Sequence, residues 1–251
     1  MLEEKQIGNI KIIICENKQE VAKTGAEIFA KAIGNNPKII LGLATGGTPV
    51  GMYKELIKMN KEAVVDFSQV SSFNLDEYVG LDINHSQSYR YFMNDNLFNH
   101  VNIDKNNTYV PDGKPSNIQE SCLSYEGKIK AAGGIGLQLL GIGSNGHIAF
   151  NEPGSSKETR TREVDLTETT IKDNARFFEN EAEVPKKAVT MGIGTILEAK
   201  RIVLLATGEN KVDALKRSIK GLQIAEVPAS FLQAHSDCLF IIDKEASSGL
   251  L

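Results

Sequence analysis

Short apolar runs, each closed by a turn and most followed by a helical pattern, recur along this chain and restrict its fold more than any other feature. Ile10 to Cys15, Lys38 to Leu43, Val70 to Leu75, Ile135 to Leu140, Ile202 to Ala206 and Leu239 to Ile242 read as buried strands. Between them, apolar residues three and four apart mark helices. Val21, Gly25, Ile28, Phe29, Ala32 and Ile33 form one stripe, and Val50, Tyr53, Leu56 and Ile57 a second. Tyr89, Phe92, Met93 and Leu97 mark a helix after Ser86 or Ser88; Ile118 to Ala132 and Lys211 to Lys220 supply two more. Thr48 has the form of an N-cap with Pro49 at the first helical position. This alternation predicts an α/β fold, three-layered and doubly wound around a mainly parallel, Rossmann-like sheet. No linker or internal repeat divides the chain, so residues 1–251 are expected to form one domain. Residues 155–187 are charged, threonine-rich and without sustained period. They read as a solvated excursion or as a lid over the site.

Composition removes several classes of function. A formal net charge of −4 argues against nucleic acid or an anionic membrane as the main partner. No apolar stretch approaches the ~20 residues that span a bilayer, and the acidic, polar N-terminus is unlike a secretory signal. Cys15, Cys122 and Cys238 are odd in number, far apart and without metal-type spacing, as expected for buried thiols in a reducing cytoplasm. No metal is expected: Asp76, Glu77 and His85 have only generic spacing.

The turns carry the chemistry. In an open α/β sheet, ligands sit outside the carboxyl ends of the strands. Thr45-Gly46-Gly47-Thr48 lies between a strand and a proline-started helix, where unpaired backbone N–H groups and the helix dipole favour an anion. It is a phosphate cradle or a plain capped turn; with no following Gly-Lys-Ser/Thr, it does not suit ATP. Lys211 falls where a cation opposes the helix dipole unless a phosphate is bound, and Arg176 beside Phe177 and Phe178 is a second candidate phosphate arm. Gly141, Gly143 and Gly146 match a dinucleotide fingerprint, but Pro153 and Gly154 interrupt the helix that NAD binding requires. That loop instead offers His147 with Glu152 five residues on, beside glycine turns such as Gly143 whose backbone can hold a sugar. Histidine is suited to proton transfer near neutrality, and a carboxylate beside it favours its protonated form. Asp76 and Glu77 follow a strand at the same edge, either as a base or as helix caps. A base, an acid and an anion cradle together suggest proton abstraction beside a carbonyl or imine of a sugar phosphate.

Leu43 to Pro49, Phe73 to Leu81, Gly146 to Pro153, and Ser155-Ser156 with Arg160-Thr-Arg162 together resemble the glucosamine-6-phosphate deaminases. These belong to the glucosamine/galactosamine-6-phosphate isomerase family, related to the 6-phosphogluconolactonases. The resemblance runs over roughly residues 10 to 243. The lactonases share the Gly-His turn but continue Thr-Ala-Ser-Leu-Phe-Pro; Ile148 to Glu152 here favours the deaminases. The resemblance implies conversion of glucosamine 6-phosphate and water to fructose 6-phosphate and ammonia, in amino-sugar catabolism and without a cofactor. It makes His147 the ring-opening residue, Glu152 its partner and Asp76 the group that moves a proton from C2 to C1. Gly46, Gly47, Thr48, Arg176 and Lys211 would hold the phosphate. Some members carry aspartate where this chain has Asn145, which leaves His147 to rely on Glu152. Ser155 and Arg162 are retained from the activator site of the allosteric members, but Val164 replaces a basic residue and the longer C-terminal tail is missing. Activation by N-acetylglucosamine 6-phosphate is therefore not expected. A cytoplasmic protein, monomer or homo-oligomer, with a small sugar phosphate as its partner is the expectation. A lactonase and a sugar-phosphate sensor are the competing readings.

Overall fold

The computed structural model describes residues 3–175, 178, 180 and 183–250. In chain order the strands are β1 (Glu3–Ile7), β2 (Ile10–Cys15), β3 (Ile40–Leu43), β4 (Ser71–Asn74), β5 (Asp76–Tyr78), β6 (Thr108–Tyr109), β7 (Leu137–Leu140), β8 (Arg162–Asp165), β9 (Lys187–Thr190), β10 (Ile202–Ala206) and β11 (Cys238–Asp243). The α-helices are α1 (Lys18–Asn35), α2 (Gly47–Lys61), α3 (Tyr89–Met93), α4 (Ile118–Ala131), α5 (Glu168–Ala175), α6 (Ile193–Leu197), α7 (Val212–Lys220) and α8 (Lys244–Ser247).

Eight strands form one sheet in the order β1-β2-β11-β10-β7-β3-β4-β6. Every pairing in it is parallel except β1 with β2. Parallel strands covered on both faces become nearly continuous apolar runs, as in Ile-Val-Leu-Leu-Ala of β10, buried throughout. The expected doubly wound α/β architecture is therefore present. The helices begin where short polar side chains stop the chain: Asn17, Ser88 and Asn117 cap α1, α3 and α4 through their side-chain oxygens. Helix α3 passes directly into a π-helical turn, Asn94–Phe98. One apolar cluster fills the main sheet and its helices, and it includes Phe29, Tyr53, Phe73, Leu204 and Phe240. Cys15, Cys122 and Cys238 are buried and free.

Residues 155–187 carry β8 and α5, and β8 belongs to a three-stranded sheet of order β5-β9-β8, antiparallel throughout. One expectation is corrected. The run Val70 to Leu75 is not one strand with Asp76 at its end. It gives β4, and the chain then changes sheets at Leu75. The N–H of Leu75 donates to Leu43 of the parallel sheet at 3.1 Å, while its carbonyl accepts from the N–H of Met191, just past β9, at 2.6 Å. Asp76 is thus the first residue of β5, opposite Thr190 of β9. A smaller apolar cluster of Tyr78, Phe150, Leu166 and Ala188 backs this second sheet.

Candidate active site

Strands β10, β7, β3 and β4 are adjacent and parallel, so the turns after them emerge at one edge. These are the four turns singled out from sequence. The chain runs from β3 to β4 and β6 on one side, then returns to β7 and on to β10 and β11 on the other. The switch therefore falls between β3 and β7, where a crevice opens in folds of this kind. The Thr45–Thr48 turn and the Gly141–Glu152 loop flank it.

The cap of α2 is Gly46, with φ +90° and no side-chain hydrogen bond, and not Thr48. Gly47 is the first helical residue, so Thr48 and Pro49 fall two positions later than expected. The positive φ, which L side chains rarely adopt, explains the glycine at position 46. Gly47 and Thr48 present first-turn N–H groups with no intrahelical acceptor, whereas Pro49 has none to present. Open space surrounds the Cα of both Gly46 and Gly47, so an anion can approach the backbone closely.

Asp76 and Glu77 are both buried but have separate roles. Glu77 Oε1 accepts from the backbone N–H groups of Tyr78 and Tyr89, at 2.9 and 2.8 Å, and Oε2 accepts from Arg90 N–H at 2.9 Å. It ties β5 to the start of α3. Burial, only partly opposed by these bonds, leaves its carboxyl above the usual range. Among the described residues, Asp76 has no such donors. Burial, reinforced by the charge of Glu77, pushes its carboxyl up to about 8. Tyr78, Tyr89 and Phe150 form an aromatic wall near it, with ring centroids 4.8–6.1 Å apart, and Phe178 meets Tyr78 at 6.0 Å.

The His147 loop is held by its own side chains. Asn151 Nδ2 donates to the carbonyls of Ile148 and Met191, and Phe150 N–H donates to Thr190 Oγ1. Ala149 takes φ +50° between His147 and Glu152, a left-handed conformation that a non-glycine residue adopts at a cost. His147 Nδ1 lies 3.5 Å from Glu152 Oε2, which is an ion-pair distance and longer than a hydrogen bond. Asn145 joins the two: its Oδ1 accepts from His147 N–H at 3.1 Å, and its Nδ2 donates to Glu152 Oε2 at 2.8 Å. Thr170 of α5 donates to Glu152 Oε1 at 2.6 Å. Burial alone would raise the Glu152 carboxyl. The neighbouring His147 ring and the bonds from Thr170 and Asn145 outweigh it and hold the group down at about 2. Gly143 is packed against the imidazole, and a Cβ there would overlap the ring; its constraint is thus toward His147 and not only toward a ligand.

Lys211 ends the 3₁₀ turn Glu209–Lys211 and caps α7 with its backbone, one step before the expected first turn, at the same edge. Arg176 lies outside the described residues. Among the described residues, no group of three His, Cys, Asp or Glu side chains is placed to hold a metal, and no helix is long and apolar enough to cross a membrane. Sequence reasoning missed Thr170, whose threonine-rich, aperiodic surroundings carry no signal. It also missed the aromatic wall, which Phe150 beside His147 hinted at.

The family model described as glucosamine-6-phosphate isomerases/6-phosphogluconolactonase matches residues 16–241. The chain is 54% identical over 238 residues to a glucosamine-6-phosphate deaminase of Clostridium perfringens, covering 95% of this chain and 98% of that one. It is 55% identical over 239 residues to the deaminase of Thermoanaerobacter sp. strain X514, covering 95% and 94%. Among solved structures, a monomeric glucosamine-6-phosphate deaminase superposes with a TM-score of 0.93 at 42% identity, covering 95% of this chain and 99% of the other. The 6-phosphogluconolactonase of Thermotoga maritima, at 21% identity and a TM-score of 0.72 over 94% and 99%, shares the fold. This chain belongs to the glucosamine-6-phosphate isomerase/6-phosphogluconolactonase family.

Proposed function

We propose that this chain is a glucosamine-6-phosphate deaminase, converting glucosamine 6-phosphate and water to fructose 6-phosphate and ammonia. The phosphate binds at the Gly46–Thr48 turn, with Lys211 and Arg176 as cationic arms. His147, with Glu152 behind it and Asn145 joining the two, moves the proton that opens the pyranose ring. Asp76 removes the C2 proton of the open-chain amino aldehyde, giving an enolamine, and returns it to C1. The resulting C2 ketimine adds water and releases ammonia, leaving the ketone. No step needs a redox cofactor. Gly143 gives the imidazole room and its loop lines the sugar.

The observation that carries this reading is the Asp76 carboxyl, buried with its pKa pushed up to about 8, at the start of β5 just beyond β4, the strand paired with the one that leads into the anion turn. A general base works best with a pKa near the working pH. Lactone hydrolysis leaves the C2 proton in place and has no use for a base aimed at it. Residues 155–187 act as a lid within a single domain, a role supported by the contact of α5 with Glu152. The free thiols support a cytoplasmic location.

Purified protein incubated with glucosamine 6-phosphate should release ammonia and fructose 6-phosphate in equal amounts. Hydrolysis of 6-phosphogluconolactone without ammonia release from the amino sugar would reverse the assignment.

A further inference from the structure

Glu152 is gripped from two directions. Oε2 faces the His147 loop, through Asn145 Nδ2 at 2.8 Å and the imidazole Nδ1 at 3.5 Å. Oε1 faces α5, through Thr170 Oγ1 at 2.6 Å. The Thr170 hydroxyl is buried and is itself oriented. Thr167 Oγ1 accepts from Thr170 N–H at 3.2 Å and lies 3.0 Å from Thr170 Oγ1. A carboxylate only accepts, so Thr170 must donate to Glu152, and the Thr167 hydroxyl therefore donates to Thr170. The result is a directed chain of two O–H groups ending on the carboxylate, each link strengthening the next. Without it, Oε1 has no donor among the described residues, and rotation about the side chain can take Oε2 away from His147.

The helix that carries Thr170 is not part of the parallel sheet. It follows β8, and its entry is fixed by Leu166, whose N–H donates to Lys186 O at 2.8 Å and whose side chain packs with Tyr78 and Phe150. Docking of α5 and orientation of Glu152 are therefore one event. We propose that Thr170 is a positioning residue: its hydroxyl sets the Glu152–His147 pair for ring opening only while α5 is seated. This rests on the deaminase reading given above. It adds that completing the acid–base pair depends on a hydroxyl from the 155–187 segment, 18 residues from Glu152 in sequence.

The test compares wild type, Thr170→Val and Thr170→Ser with glucosamine 6-phosphate, together with crystal structures of wild type and Thr170→Val. Valine keeps the shape and removes the donor; serine keeps the donor. A lost hydrogen bond to a charged group corresponds to about tenfold or more in rate. Thr170→Val should lower kcat by about that factor with KM held within about twofold, and Thr170→Ser should recover most of it. In the valine crystal, Glu152 should turn away from His147. A Thr170→Val enzyme with unchanged kcat would overturn the proposal, as would a serine variant no better than valine, since either outcome leaves only packing. If wild type itself releases no ammonia, the deaminase reading fails by itself. The crystal comparison still decides the positioning claim, which is overturned by a Glu152 that keeps its place without the hydroxyl.

Discussion

Replacing Asp76 with asparagine should abolish turnover and at the same time stabilise the fold. Asparagine keeps the shape of the side chain and cannot ionise. In the folded chain the Asp76 carboxyl is pushed from its ordinary 3.8 to about 8, first by burial and then by the charge of Glu77. A carboxyl raised in this way favours the folded state while it is protonated. That contribution is complete below the pKa of the unfolded chain and is lost as pH climbs through about 8. The gap is about 4 pH units at about 1.4 kcal/mol each, a ceiling of about 6 kcal/mol. Relaxation of the surroundings in a real protein roughly halves such a ceiling, leaving about 3 kcal/mol at pH 8. For a chain of this size that corresponds to a rise in Tm of about 6–12 °C. Thermal denaturation of both proteins between pH 4 and 9 measures it, with the advantage of Asp76→Asn near zero at pH 4 and growing to pH 8. Turnover should fall about a thousandfold or more while substrate binding changes less than about threefold, because the phosphate is held elsewhere. Wild-type kcat/KM should rise with pH along a limb centred near 8, as the base form appears. A Tm advantage that is absent or independent of pH would refute the desolvated carboxyl. A large loss of affinity would make Asp76 a binding group.

The other predictions concern the neighbours of this group. Lys211→Ala should weaken glucosamine 6-phosphate binding about ten- to a hundredfold by calorimetry, the value of a charge-assisted bond to phosphate; unchanged binding would move the phosphate elsewhere. Gly143→Ala should lower kcat about tenfold or more with little change in KM, because the new methyl overlaps the imidazole of His147. An unaffected kcat would show that the ring position is not critical. Glu77→Gln should cost about 1–3 kcal/mol in denaturant unfolding by weakening the tie to Tyr89 and Arg90 N–H, whereas free exchange without loss would refute its structural role. N-acetylglucosamine 6-phosphate should leave the half-saturating substrate concentration unchanged, since Val164 packs beside the Tyr78 cluster and offers no cation; a several-fold fall would contradict this.

The elements legible in the sequence are those whose evidence is local. β2, β7, β10 and β11 are apolar runs, and α1 and α4 have a period and a side-chain cap within a few residues. The glycine turns were legible for the same reason. Errors arose where structure depends on distant pairing. β5 is Asp-Glu-Tyr and β8 is Arg-Glu-Val-Asp, neither apolar nor alternating, and each becomes a strand only against β9. The cap on α2 was misplaced because Thr48 and Pro49 have the form of a helix start. The left-handed φ of Gly46 is a property of the folded turn. Asp76 and Glu77 are neighbours of equal burial. Only the donors brought by α3, twelve and thirteen residues on, separate a structural carboxylate from a reactive one.

Leu75 joins the two sheets through opposite sides of one residue, its N–H in the parallel sheet and its carbonyl in the antiparallel one. The anion turn belongs to the first sheet and Asp76 to the second, so grip and chemistry rest on different sheets, joined at this residue and by the bonds of Phe150 and Asn151 to Thr190 and Met191. Variation along β8 and β9 can tilt the small sheet, and with it the reach of Asp76 toward a substrate carbon, while the Gly46–Thr48 turn keeps its place in the large one. A lineage or a designer altering which sugar is processed has a ready dial there, on a handle that stays fixed.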